Sequence, residues 1–246
     1  MRRLWVRWTL LVVFVAILGT VFVNLGQWQL DRLRQRKERN ATTIANEQAP
    51  IRQAADVFTK PITDADQWQR VEARGTFDGD HQFLIRYRSN GDADGYEVVT
   101  PLRMSAGTTL LVDRGFVALA GGAQIPSAAP PPPAGDVVVV GHVRRNERGR
   151  KAAVTPANGQ VRLINSDAMA ATLPYPVLNG YLGALTIDPP QQGGLQPIAL
   201  PELSQGPHFW YAVQWFMFTG IGIAGIVVFI RGDLKVRREQ QLAAAA

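Results

Sequence analysis

The sequence predicts two transmembrane helices, one towards each end of the chain, flanking a mainly antiparallel β, barrel-like or sandwich extracytoplasmic domain with minor helix. Three observations carry that expectation. No charged residue occurs from Trp8 to Leu30, and none from Phe209 to Ile230. At about 1.5 Å of rise per residue, each run is long enough for the roughly 30 Å hydrocarbon core of a bilayer. Between the two runs the hydrophobic period changes from helical to alternating, and turn residues punctuate it at short intervals.

In chain order, residues 1–8 are read as a short cytoplasmic N-terminus and 9–30 as the first transmembrane helix. The basic start of Arg2, Arg3 and Arg7 would also suit a signal peptide. The apolar run exceeds the roughly 7–15 residues of a signal h-region and no Ala-x-Ala site follows it, so an uncleaved anchor is expected. Residues 31–206 are assigned to the β domain, 207–230 to the second transmembrane helix and 231–246 to a cytoplasmic basic tail. Orientation rests on the second helix. No Lys or Arg lies between Arg162 and Phe209, whereas Arg231, Lys235, Arg237 and Arg238 follow it. Cytoplasmic flanks are the ones enriched in Lys and Arg. The C-terminus is therefore placed in the cytoplasm, and two spans return the N-terminus there and leave the domain outside. Arg32, Arg34, Arg36, Lys37 and Arg39 break the simple rule. They are read as a solvent-exposed continuation of the first helix, meeting headgroups or a partner.

Within the domain, strands are expected at Arg70–Phe77, Gln82–Arg88, Tyr96–Met104, Thr108–Val117, Asp136–Arg144, Val161–Asn165 and Leu182–Asp188, all rich in Val, Ile, Phe, Tyr and Thr. Asp78-Gly79, Asn90-Gly91, Asp94-Gly95, Ser105-Ala106-Gly107 and Asn158-Gly159 supply the breaks. Ser166 to Leu173 is expected as a short helix capped by Ser166 or Asn165. Two long loops stand out: Gly121 to Gly135, with Pro130 to Pro133 as a stiff polyproline-like stretch, and Asp188 to Pro197.

The net charge of +6 does not indicate nucleic acid once it is divided along the chain. Residues 1–39 carry net +6, residues 40–206 net −2 and residues 207–246 net +2. The basic excess flanks the apolar runs, where anionic lipid headgroups would meet it. A nucleic-acid binder places it on the folded domain. There is no cysteine, which excludes disulfides, Cys-based zinc sites and redox dithiols. Arg outnumbers Lys by 22 to 4, a habit of GC-rich bacterial genomes, so the membrane is expected to be a bacterial plasma (inner) membrane.

Several motifs read blandly. Gly220-x-Gly222-x-x-Gly225 matches a dinucleotide fingerprint in letters, but it lies inside an apolar run and follows no strand. Small residues there would instead let another helix approach. Asn90-x-Asp92-x-Asp94-Gly95 resembles half a calcium loop, but its twelfth position is Pro101, so a hairpin turn is expected. The basic run from Arg144 to Lys151 is either a solvated loop or a contact for an acidic partner or lipid headgroups. No acid–base or nucleophile set marks an enzyme. His81, His142 and His208 show no metal-site spacing. His208 begins the second apolar helix and, by spacing, shares a face with Tyr211, Ala212 and Trp215. Its imidazole could ligate haem iron, or His, Trp and Tyr could simply be there because they favour the membrane interface.

Five stretches, in order, carry a family resemblance: Leu25-Gly26-Gln27-Trp28-Gln29-Leu30-Asp31-Arg32-Leu33, Gly75-Thr76-Phe77, Gly95 to Leu102, Leu110 to Val117, and Pro207 to Phe216. With one helix at each end, the chain resembles the surfeit locus protein family of cytochrome c oxidase assembly factors. The resemblance implies a membrane-bound, non-enzymatic factor. It would assist haem a insertion into, or stabilisation of, the catalytic subunit of a haem-copper oxidase. The alternative is a stable accessory subunit with no haem handling. The resemblance implies His208 as haem iron ligand, with Tyr211 and Trp215 as further haem a contacts. Gly26, Trp28, Arg32, Gly220 and Gly225 are the expected contacts to partners, which are the oxidase catalytic subunit and a wider respiratory supercomplex. Gly26 and Trp28 are expected to meet His208, Tyr211 and Trp215 at one end of the helices. The chain departs from the family pattern at Pro207, Phe209, Gln214 and Ala118.

Overall fold

The computed structural model describes residues 2–91, 93–105, 107–119 and 124–245. They form two compact units, one of Met1–Asn40 with Leu203–Ala246 and one of Ala41–Glu202.

The first unit is a helix pair. Helix α1 (Arg2–Gln48) gives it all but its last residues, which belong to the second unit. The C-terminal helix (His208–Ala245) is its partner. Both are long and apolar enough to cross a membrane. Helix α1 runs on through the basic cluster at 32–39, as expected for a continuation of the first span.

The second unit is built from β1 (Arg52–Gln53), α2 (Ala54–Val57), β2 (Arg70–Phe77), β3 (Phe83–Asn90), β4 (Ala93–Met104), β5 (Thr109–Ala118), β6 (Asp136–Arg144), α3 (Lys151–Val154), β7 (Gln160–Val161), α4 (Ser166–Ala170) and β8 (Tyr181–Asp188). The C-terminal helix is then α5. Strands β2, β6, β8, β5 and β4 are neighbours in that order, and β4 pairs back onto β2, so five strands close a barrel. Only the β5–β8 contact in this ring is parallel. Numbered by chain order, the ring runs 1-2-3-5-4-1, the Greek-key connectivity of an OB-type barrel. Strand β3 is inserted between the first two and extends outward, with β7 beside it.

Alternation explains the core. Leu110 and Val112 of β5 join Val71, Ala73, Leu102, Val139 and Leu182 in one buried cluster, completed by Ala54, Val57 and Phe58 of the α2 turn. Leu111, on the opposite face, packs with Phe83, Ile85, Val99, Ile164 and Met169. With both faces of β5 covered, its apolar residues run consecutively from Leu110 to Val112 rather than alternating with polar ones. Closure depends on Gly75. A Cβ there would lie 2.1 Å from the Arg103 carbonyl oxygen, so only glycine lets β2 pass from β6 to β4.

The family motif Asp113-Arg114-Gly115 organises both long loops. Arg114 is 1% exposed, and among the described residues no carboxylate pairs with it. It donates to Pro130 O (3.0 Å), Pro131 O (3.2 Å), Gln82 Oε1 (2.8 Å) and Gln191 Oε1 (3.1 Å). Burial lowers its pKa to about 10. Gly115, at φ 131°, brings Gln196 into a backbone bridge with Phe116. At the end of α1, Glu47 hydrogen-bonds His142, and Asn46 donates to Ala65 O and Gln67 O at 2.8 Å. Burial is the main cause holding the His142 pKa below its ordinary value.

The sequence expectation of a barrel or sandwich resolves to a barrel. Most strand bounds agree within a few residues, but Val161–Asn165 is not a strand. Only Gln160–Val161 pairs, because Arg162 N and Leu163 N both donate to Ala153 O and Ile164 N donates to Glu147. Helix α4 ends at Ala170 rather than Leu173, and Asn165 caps it by accepting from Ala168 N at 3.0 Å. The half calcium loop and the first proline-rich loop include Asp92 and residues 120–123, which lie outside the described residues.

Candidate functional site

The two helices of the first unit meet along a seam with a heptad rhythm. On α1 the contacting positions are Trp8, Val15, Gly19, Phe22, Gly26, Gln29, Arg36 and Asn40, at steps of three, four or seven. On α5 they are His208, Ala212, Trp215, Thr219 and Gly222, at alternating steps of four and three. Such spacing is that of antiparallel helices packed at a shallow angle.

Small residues set the approach. A Cβ on Gly26 would lie 2.7 Å from the Phe216 ring, and one on Gly222 3.2 Å from Val15. Gly19 faces Thr219, and Ala212 is almost wholly buried. Phe22 packs on Trp215 and Phe218, with ring centroids at 5.5 and 5.8 Å. Polar bonds close both ends. Trp8 Nε1 donates to Asp233 Oδ2 at 3.0 Å. At the other end, Arg36 Nε donates to Ser204 O at 2.8 Å and Asn40 Nδ2 to Leu203 O at 2.7 Å.

His208 is held within that end. It is the first residue of α5, entered through Pro207, whose missing N–H costs nothing at a helix start and whose carbonyl accepts from Tyr211 N. His208 Nδ1 lies 2.8 Å from Gln29 Oε1. The amide oxygen can only accept, so the bond puts the imidazole proton on Nδ1. No described residue bonds to Nε2. An imidazole fixed through Nδ1 and open at Nε2 has the chemistry of an iron ligand. The residues present therefore fit a haem iron at this position.

The other expected site residues divide. His208, Trp215 and Gly26 lie in the seam. Tyr211, Trp28 and Arg32 are on outward faces, and the guanidinium of Arg32 sits 5.4 Å from the Trp28 ring centroid. The expected meeting of Trp28 and Tyr211 with His208 is thus not what the helices form. The four-three rhythm turns 28, 32 and 211 away while bringing Gln29 inward. Gly220 and Gly225 are also outward, and a side chain at either would meet nothing within 4 Å. Gln29 and Asn40 were not singled out in the sequence, and Arg36 was read only as part of the basic cluster. Their signal is the recurrence of small and polar residues at heptad spacing. Among the described residues, no group of three or more His, Asp or Glu side chains is arranged to hold a metal ion.

The SURF1 family model matches residues 16–220, from within α1 to within α5. The chain belongs to the SURF1 family. It is 29% identical over 238 residues to an uncharacterised SURF1-like protein of Mycobacterium tuberculosis, covering 94% of this chain and 86% of that one. A SURF1-like protein of Rickettsia conorii is 28% identical over 224 residues, covering 88% of each. The match spans all five stretches that carry the family resemblance.

Proposed function

We propose that this protein is a membrane-bound assembly factor for haem-copper cytochrome c oxidase. It assists haem a insertion into, or stabilisation of, the catalytic subunit. Membership of a family linked to cytochrome c oxidase assembly supports the first part. The observation that carries the haem part is the Gln29–His208 bond, which leaves Nε2 available. Haem a is cargo in this reading. His208 offers Nε2 to the iron, Gln29 fixes the Nδ1–H and orients the ring, and Tyr211 and Trp215 supply aromatic contacts. Gly26 is the close-packing point that brings α1 and Gln29 within reach of α5. The outward residues Trp28, Arg32, Gly220 and Gly225 face the oxidase catalytic subunit and, beyond it, a respiratory supercomplex. The helices span a bacterial plasma membrane with both termini in the cytoplasm, an orientation supported by the Lys/Arg excess after Ile230.

Gly225 favours a second reading, a stable accessory subunit without haem handling. It lines an apolar groove of 520 Å³ with Leu10, Val15, Gly222 and Phe229, a surface suited to permanent packing against another membrane helix. Gene deletion separates the two. The assembly reading expects oxidase lacking haem a, restored by the wild-type gene and not by His208→Ala. The subunit reading expects haem-replete oxidase that copurifies with the protein at constant stoichiometry.

A further inference from the structure

Tyr87 stands out in the barrel domain. It is a non-glycine residue at φ 60°, in the left-handed region that aromatic side chains rarely adopt, and it is 70% exposed. Strain of this kind persists where the surroundings impose it, and it gathers at ligand contacts. The cause is local. The β3–β4 register shifts between Ile85 and Arg88, and the resulting bulge turns Tyr87 outward.

Two cations flank the ring. The guanidinium carbons of Arg86 and Arg162 lie 5.1 and 4.9 Å from its centroid. Arg86 also reaches Gln160 Oε1 at 3.3 Å. Neither arginine is in an ion pair among the described residues. Two carboxylates of neighbouring segments are taken up by another arginine. Glu97 and Glu147 both pair with Arg88, at 2.7 and 2.8 Å. More charge gathers alongside. The loop carrying exposed Arg148, Arg150 and Lys151 is tied to the Arg162 segment by Glu147 N to Ile164 O (2.8 Å) and Arg162 N to Ala153 O (3.2 Å). Cations from two separate stretches of sequence thus flank one exposed aromatic, and a third basic stretch is tied to the Arg162 segment.

The backbone beside them is open. Strand β3 pairs with β7 only at Leu84 and Ile85, so among the described residues its outer edge from Arg86 to Asn90 has no partner strand. A cavity of about 740 Å³ adjoins that edge, with Leu119 and Ile125 as apolar lining and Asp94 as its one acidic member. An unpaired edge is a template for an added strand, and its flanking side chains select what is added.

We propose that the β3 edge around Tyr87 binds an extended acidic segment of a protein partner. The segment adds main-chain hydrogen bonds at the free edge, sets carboxylates against Arg86 and Arg162, and rests an apolar side chain on Tyr87. Charge complementarity selects an acidic segment, and the open edge selects a polypeptide over a lipid surface. This site is independent of His208.

The test uses the full chain in detergent micelles and a fluorescein-labelled peptide of alternating Glu and Thr, read by anisotropy. Wild type binds it, salt weakens the binding, and a Lys–Thr peptide does not bind. Tyr87→Gly relieves the left-handed strain, so it folds with an equal or higher Tm while affinity falls about tenfold. Arg86→Glu with Arg162→Glu abolishes binding. The proposal is overturned if wild type does not bind, or if these variants bind as wild type does. It is equally overturned if Arg162-dependent binding is found for phosphatidylglycerol vesicles and not for the peptide.

Discussion

The helix pair and the barrel are built inside out relative to each other. In the barrel, Val71, Leu102, Leu110 and Leu182 are fully buried. In the helix pair, Trp5, Leu10, Phe14, Ile221 and Val228 are exposed, while glycine, alanine, Gln29 and His208 sit between the helices. One chain follows two rules because it is solvated twice. In water, apolar area removed from solvent contributes about 25 cal/mol per Å². In lipid, burying a leucine gains little, so helices associate through close packing and polar bonds. The seam concentrates these: Gly26 under Phe216, and hydrogen bonds at Trp8–Asp233 and Gln29–His208.

The comparison can be broken where the two rules differ most. Leu182→Ala in the barrel should cost about 2–5 kcal/mol. Phe14→Ala on the outward face of α1 should stay within about 0.5 kcal/mol. Denaturant melts of the full chain in detergent measure both, and equal losses would erase the distinction. Next in size is Gly26→Val, an overpacking change expected to cost the helix pair about 1–3 kcal/mol. Its readout is the yield of a disulfide between Val15→Cys and Gly222→Cys, feasible because the chain has no cysteine of its own. The yield should fall while the melting of the barrel is unchanged.

A smaller effect sharpens the barrel's side. Burial is the largest cause raising the Asp113 carboxyl well above its ordinary 3.8, with nearby Glu97 adding to it. A raised carboxyl gives stability that is full below 3.8 and lost as pH rises through the folded-state value. At neutral pH the buried charge is therefore a cost. Asp113→Asn keeps an acceptor for Gly115 N and should stabilise the barrel by about 1 kcal/mol at pH 7. The gain should shrink on acidification, and Tm against pH checks the sign. Smallest is Asp233→Ala, expected to loosen the helix pair by about 0.6 kcal/mol through the lost Trp8 bond. The same crosslinking yield reports it.

These differences also explain what the sequence made legible. Strands such as Asp136–Arg144, a short Val-rich run beginning just after Gly135, could be placed within a residue or two. Val161 to Asn165 reads as a strand too, but its amides are taken by Ala153 and Glu147, partners that depend on the folded loop. Barrel closure turns on the register of Gly75 against Arg103, a pairing no local pattern reveals. In the helices the difficulty is opposite. Every face is apolar, so hydrophobic period carries no information, and the seam shows only as recurring small and polar residues. His208 was legible as a candidate from its place at the helix start. Gln29 was not, because its role exists only once α1 and α5 lie antiparallel. The strain at Tyr87 was likewise invisible, since it arises from a bulge in pairing with β4.

The central claim is that His208, held through Nδ1 by Gln29, presents Nε2 to haem iron. It is tested most directly by adding haem a to the purified full chain in detergent and recording the optical spectrum. The wild-type protein should give an imidazole-ligated spectrum, His208→Ala should lose it, and Gln29→Leu should bind haem a about tenfold or more weakly through the lost outer hydrogen bond. Equal haem a binding by wild type and His208→Ala would contradict the account.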